Sequence, residues 1–339
     1  MSEGMPGAGT PGPAHPVWRT NLEESAQPIA KAPRSPAPAA QGQASGTAFE
    51  SRSPRYVLDK DVVLPATTRR QLDESVAKIH FHHQIYVDWG FAAVDPMGRS
   101  TILNFYGPPG TGKTMAAEAF AGTLGMEIVQ ISIAELESKF MGETAKNLKA
   151  AFRAAYELDA VLFFDEADTL LGKRLSSVTQ GIDNEVNAMR STLLIELERF
   201  DGIVIFATNF ARNYDEAFRS RITHHVHFDL PDLDTRRGIW ERMLIDGIPL
   251  ADDRQVMLDD AARRSDGLCG RDIRTCMRLA LPKALLWAKA AGVAARLRME
   301  DIGAAITEVR SASKEVGSPV GRERSEMAQT AKRLLGIDT

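Results

Sequence analysis

Three short stretches of this sequence carry residue types and spacings that suit phosphate chemistry. The first is Gly107-Pro108-Pro109-Gly110-Thr111-Gly112-Lys113-Thr114, which follows the apolar run Ile102–Tyr106 and precedes an alanine-rich helical pattern. Glycines at 107, 110 and 112 let backbone N–H groups turn toward a β-phosphate at a helix N-terminus. Lys113 is then placed to reach the β- and γ-phosphates, and the Thr114 hydroxyl to ligate Mg²⁺. The second stretch is Val161–Phe164, four apolar residues ending in Asp165-Glu166. Such a run reads as a buried parallel strand, and ligands bind such sheets at the carboxyl edge. There Asp165 supports Mg²⁺ through water, while Glu166 accepts a proton from, or orients, the water that attacks the γ-phosphorus. The third is Ile203–Ala207, a second apolar run, ending in Thr208-Asn209. A neutral amide at 209 donates to a γ-phosphate or holds the water without repelling either, which suits a sensor of bound triphosphate. Together these features predict an Mg²⁺-dependent ATPase, with ATP and Mg²⁺ as its cofactors.

The elements that hold these residues alternate in type. Apolar runs at Ile102–Tyr106, Ile128–Ile133, Val161–Phe164, Ile203–Ala207 and Val226–Phe228 predict five strands. Between the second and third, Leu148, Phe152 and Ala155 recur at helical spacing within Glu143–Leu158. Repeated β-α-β order predicts an α/β fold with a parallel sheet covered on both faces. After Pro231 the strands stop, and helical patterns follow at Thr235–Ile245, Arg254–Ser265, Arg271–Ala291 and Met299–Ser311. Pro282 predicts a kink or a split in the third of these. The expected organisation is therefore an α/β nucleotide-binding domain over 57–231, a helical domain over 232–313, and tails at 1–56 and 314–339.

Composition narrows the partners. Nine of the seventeen prolines fall within Met1–Tyr56, where large apolar residues are scarce, so this segment reads as a disordered tail. Its five basic residues nearly balance its four acidic ones. The whole chain carries a net charge of −4, which supplies no overall basic field for a phosphate backbone and argues against static nucleic-acid binding. The first residues lack the basic start and apolar run of a signal peptide. The long apolar stretch Ala284–Ala295 is interrupted by Lys289 and Gly292, so no membrane span is expected either. Cys269 and Cys276, seven apart in one helical pattern, are expected to be buried and unpaired in a reducing, cytoplasmic compartment. His80, His82, His83 and His224, His225, His227 form two groups that no cysteine or carboxylate completes at metal-ligand spacing.

The three phosphate-chemistry stretches, in this order, resemble the AAA clade of AAA+ ATPases. The resemblance covers about Asp59 to Ser311 and implies a sheet ordered 5-1-4-3-2, a helical lid, and hexameric rings with ATP between subunits. Ser138-Lys139-Phe140-Met141-Gly142-Glu143 falls where family members carry a central pore loop, which implies that Lys139, Phe140 and Met141 grip a substrate polypeptide. A buried-aromatic reading of Phe140 competes, but Ser138, Lys139 and Gly142 beside it are not core residue types. Asp215–Arg221 resembles the arginine-finger segment of katanin- and spastin-like members, which makes Arg221 the residue expected to reach a neighbouring subunit's γ-phosphate. Ser220 stands where such relatives often carry an adjacent arginine, which leaves the role of Arg219 open. Asp61-Val62-Val63 looks like the adenine-contacting segment. Gly270-Arg271-Asp272-Ile273 resembles the lid's Gly-Ala-Asp turn with arginine in place of alanine, so Arg271 is either a second nucleotide sensor or a solvated helix-start arginine.

The pore segment favours a protein remodeller that acts on a protein substrate, with or without an adaptor. A nucleic-acid motor or loader would line its channel with basic or stacking residues in place of Phe140-Met141. A nucleotide-switched assembly factor would not need Glu166, Asn209 and Arg221 together.

Overall fold

The computed structural model describes residues 49–95, 100–132, 144–172, 182–209 and 215–317. The chain divides into two compact units. One runs to Val62 and takes in Ala66–Gly107 and Lys113–Phe228; the other holds Val63–Pro65, Pro108–Gly112 and the residues from Asp229 on.

The first unit is built on five parallel strands: β1 (Thr101–Tyr106), β2 (Glu127–Ser132), β3 (Ala160–Asp165), β4 (Ile203–Thr208) and β5 (His224–His227). Their order across the sheet is β2-β3-β4-β1-β5, the expected one. All six residues of β4 are buried, as are five of six in β1 and in β3, because helices cover both faces of the central strands. That is why these strands read as continuous apolar runs. β5 was harder to read: it starts two residues before the expected Val226, on His224 and His225, because pairing with β1 rather than side-chain polarity defines it. As an edge strand it tolerates half-buried imidazoles, and α2 (Ala66–His80) packs along it, with Thr68 donating to the His227 carbonyl at 2.7 Å.

Helix α1 (Leu58–Asp61) and helix α3 (Lys113–Thr123) lie in the same unit, and the Leu58 N–H donates to Thr123 Oγ1 at 3.1 Å. Helix α4 (Thr144–Glu157) buries Leu148, Ala151, Phe152 and Ala155, the i, i+3, i+4 stripe its sequence showed. Phe152 stacks edge-on against Phe200 with centroids 5.1 Å apart, and truncating a core phenylalanine of this kind costs about 3–5 kcal/mol. Helices α5 (Asp168–Leu171), α6 (Ile182–Arg199) and α7 (Glu216–Arg219) belong to the same unit, as do two short helical turns at Gln84–Asp88 and Phe91–Ala93.

Residues 49–56, which composition grouped with the tail, run along α3 and β2. Arg52 exchanges both backbone hydrogen bonds with Ile128 at 3.0 Å, and the Arg52 and Arg55 guanidinium groups close on Glu118 of α3. Their partners lie more than sixty residues away in sequence, so composition alone could not find this strap.

The second unit contains α8 (Leu233–Met243), α9 (Arg254–Arg264), α10 (Gly270–Ala291) and α11 (Met299–Gly317). Asp232 caps α8 by accepting the Thr235 N–H at 2.8 Å, which starts the helix two residues before the apolar pattern does. Trp240, fully buried, donates its indole N–H to Ser265 Oγ at 2.9 Å. Helix α10 is not split at Pro282. It continues through the proline because Ile273, Cys276, Met277, Ala280, Ala284 and Ala288 form one buried stripe on both sides of it. Cys276 lies within α10, but Cys269 is its N-cap rather than part of it; both thiols are buried and free. No described helix is long and apolar enough to cross a membrane.

Candidate functional site

Parallel pairing brings the ends of three strands to one edge of the sheet. Tyr106 pairs with Thr208, and Phe164 with Phe206, so the glycine-rich loop, Asp165-Glu166 and Asn209 all follow strand ends that lie side by side.

The loop between β1 and α3 needs its glycines for two reasons. Gly107, Gly110 and Gly112 have φ of 145°, 80° and 100°, the region that L side chains rarely enter. At Gly107 there is also no room, since a Cβ there would overlap the Phe228 carbonyl oxygen. Within the loop, Thr111 Oγ1 donates to the Pro108 carbonyl at 2.9 Å, while Pro109 is exposed. Lys113 opens α3 and is only 7% exposed; its ammonium donates to the Gly107 carbonyl at 2.8 Å. The expected phosphate-binding lysine is thus held at the loop's root.

Thr114 Oγ1 donates to Asp165 Oδ2 at 3.1 Å. A hydroxyl and a carboxylate that close together form the start of a hard-oxygen donor set, the kind that suits Mg²⁺. The other Asp165 oxygen accepts the Glu166 N–H at 3.0 Å. Glu166 has φ of 54°, and only Asp159 shares a positive φ among the other described non-glycine residues. Strained backbone of this kind collects at functional positions, and here it turns the exposed Glu166 out of the strand direction.

Asp168 is a site residue that the sequence reading did not assign. Its Oδ1 accepts both the Thr208 hydroxyl and, at 2.9 Å, the Asn209 N–H, so one carboxylate from the β3 side fixes the end of β4. The signal was present as a second acid three residues after Asp165, but nothing in one sequence says that residue 168 faces residue 209.

Asp61 turns its carboxylate back to accept the Val57 N–H at 2.7 Å, and Val62 is the extended residue that ends α1. Asp215 caps α7 by accepting the Ala217 N–H at 2.9 Å. Arg221 is drawn inward: its guanidinium donates to the Ala217 carbonyl at 2.7 Å and pairs with Glu198. Arg219 is the more exposed arginine, 69% accessible and 3.9 Å from Glu216. Arg271, in the second unit, is exposed at the start of α10. Lys139, Phe140 and Met141 lie outside the described residues.

The fold and this edge define a P-loop nucleotide-binding protein of the α/β class. The profile of the "ATPase family associated with various cellular activities (AAA)" matches residues 103–230. An AAA family ATPase of Sinorhizobium fredii, y4kL, is 32% identical over 237 residues, 69% of this chain and 68% of that one. The chain belongs to the AAA family. It is also similar to the katanin p60 ATPase-containing subunit A1 of Strongylocentrotus purpuratus, 35% identical over 185 residues, or 51% of this chain and 34% of that protein. A third relative is the 26S proteasome regulatory subunit 6B homolog of Dictyostelium discoideum, 33% identical over 214 residues, covering 61% and 51%. The match to katanin spans about a third of the relative's length. The crystal structure of the FIGL-1 AAA domain shares the fold, with a TM-score of 0.57 at 22% identity over 78% of this chain and 91% of that one.

Proposed function

We propose that this protein hydrolyses ATP and applies the energy to remodelling other proteins, as a ring of six copies that threads polypeptide through a central pore. The observation that carries the ATPase reading is the convergence of Lys113, the Thr114–Asp165 pair, Glu166 and the Asp168-held Asn209 at one sheet edge.

In this reading Lys113 exchanges the Gly107 carbonyl for the β- and γ-phosphates, and the glycine-rich loop donates its N–H groups to them. Thr114 directly and Asp165 through water would hold the Mg²⁺ that accompanies ATP, and the ion would neutralise charge on the phosphates. Glu166, turned out of the strand, takes the proton of the attacking water. Asn209 faces the γ-phosphate from a position that Asp168 fixes. Arg221 leaves Glu198 to complete the site of the next subunit. Asp61-Val62 would contact the adenine.

Protein as the substrate is supported by the Lys139-Phe140-Met141 segment and by a relative named as a proteasome regulatory subunit. The free cysteines Cys269 and Cys276 suit a reducing, cytoplasmic compartment.

Two substitutions test the core of the proposal. Lys113→Ala is expected to lose binding of fluorescent ATP. Glu166→Gln is expected to keep binding and lose phosphate release by about 100-fold or more. Equal loss of binding in both variants contradicts these roles for Lys113 and Glu166. A Glu166→Gln protein that retains ATP is also the form in which to capture the substrate.

A further inference from the structure

Helix α10 begins on the glycine-rich loop. Within the second unit the Arg271 N–H donates to the Gly110 carbonyl at 3.2 Å. Arg271 is the second residue of the helix, so its N–H is one of the first-turn donors without a partner inside the helix, and Gly110 supplies one. The contact is close on the side-chain side as well. A Cβ built on Gly110 would overlap the Cys269 Sγ and stand 3.1 Å from the Arg271 Cβ. Cys269 is 6% exposed, and its own N–H donates to Asp272 Oδ2 at 3.1 Å, which fixes the start of the helix.

A trans peptide points its N–H opposite its C=O. No described peptide is cis, so anchoring the Gly110 carbonyl on α10 aims the Thr111 N–H away from α10. In a phosphate-binding loop the N–H groups are the ligands, and their direction decides affinity. Burial raises the Cys269 pKa and favours the protonated thiol, which shares a capping box with Asp272 and fills the space against Gly110. The geometry points to Cys269 as a positioning residue for nucleotide binding: its thiol is the seat of Gly110, and its size sets the aim of the Gly110–Thr111 peptide. This inference rests on the phosphate-loop reading of residues 107–114.

The test compares Cys269→Val, Cys269→Ala and Lys113→Ala in the full chain, by titration with fluorescent ADP and by melting without nucleotide. The extended backbone at Cys269, φ −83° and ψ 171°, accepts a β-branched residue, so valine probes bulk. Cys269→Val is expected to raise the Kd about tenfold or more, with a melting temperature within a few degrees of wild type. Cys269→Ala removes the seat without adding bulk and is expected to raise the Kd about threefold, which also serves if the valine variant does not fold. Wild-type affinity in a folded Cys269→Val or Cys269→Ala protein, beside a Lys113→Ala protein that has lost binding, overturns the positioning role and leaves the phosphate loop standing. Lowered melting with wild-type Kd marks a merely structural contact and overturns it too. Wild-type binding by Lys113→Ala removes the phosphate-loop reading itself, and the role of Cys269 with it.

Discussion

Replacing Glu118 with glutamine keeps the size of a side chain that is 3% exposed on α3 and removes only its charge. Both oxygens are occupied by the strap: Arg52 reaches them at 2.7 and 2.9 Å, and Arg55 at 2.9 Å through both its backbone N–H and Nε, and at 3.2 Å through Nη2. Burial on its own pushes the carboxyl pKa up, but the hydrogen bonds from Arg52 and Arg55 outweigh it and bring the group from 4.5 to about 2. Holding the carboxyl at about 2 rather than 4.5 corresponds to about 3 kcal/mol at neutral pH. Arg55 is 68% exposed and Arg52 38%, so water screens part of this interaction, and about 1–2 kcal/mol is the expected loss. For a chain of 339 residues that lowers the melting temperature by about 1–3 °C. The pH dependence has a defined sign. A carboxyl whose folded pKa is depressed stabilises the protein above its unfolded pKa, here 4.5, and the contribution fades as pH falls toward the folded value of about 2. Urea titrations of wild type and Glu118→Gln at pH 7, 5 and 3.5 measure it. The gap between the two proteins should be full at pH 7 and shrink at pH 3.5. Equal stability at pH 7, or a gap that does not change with pH, refutes the reasoning.

Three further outcomes follow from the site. Asp168→Ala frees the Thr208 hydroxyl and the Asn209 N–H, so kcat for ATP should fall about tenfold while nucleotide affinity stays within about threefold, as steady-state kinetics and ADP titration will tell. Arg221→Ala subunits mixed with Lys113→Ala subunits should recover some turnover, since mixed interfaces pair a sound loop with a sound arginine; no recovery despite proven co-assembly removes the role in trans. Phe140→Ala should leave basal ATPase intact and abolish stimulation by a protein substrate. If Phe140 is a core residue instead, the same change lowers the melting temperature by the equivalent of about 3–5 kcal/mol and impairs every activity.

The central strands and the glycine-rich loop were legible in the sequence because their causes are local. A strand buried on both faces must be apolar throughout, so β1, β3 and β4 announced themselves, and a backbone with φ of 80° to 145° at three positions calls for glycine at each. Sequence order alone put Asp165-Glu166 and Asn209 at strand ends. The tertiary structure decided what depends on residues far apart in the chain. The strap over residues 49–56 was hidden in a proline-rich tail because Glu118, which holds it, is more than sixty residues away. Asp168 looked like one acid among several until the pairing of β3 with β4 brought the Asn209 N–H to its carboxylate. The same holds for Arg221, whose Coulomb partner Glu198 lies twenty-three residues before it in the chain. Local backbone demands leave a mark on residue type, whereas the partner of a charge is set by the fold, and the composition near that charge does not record it.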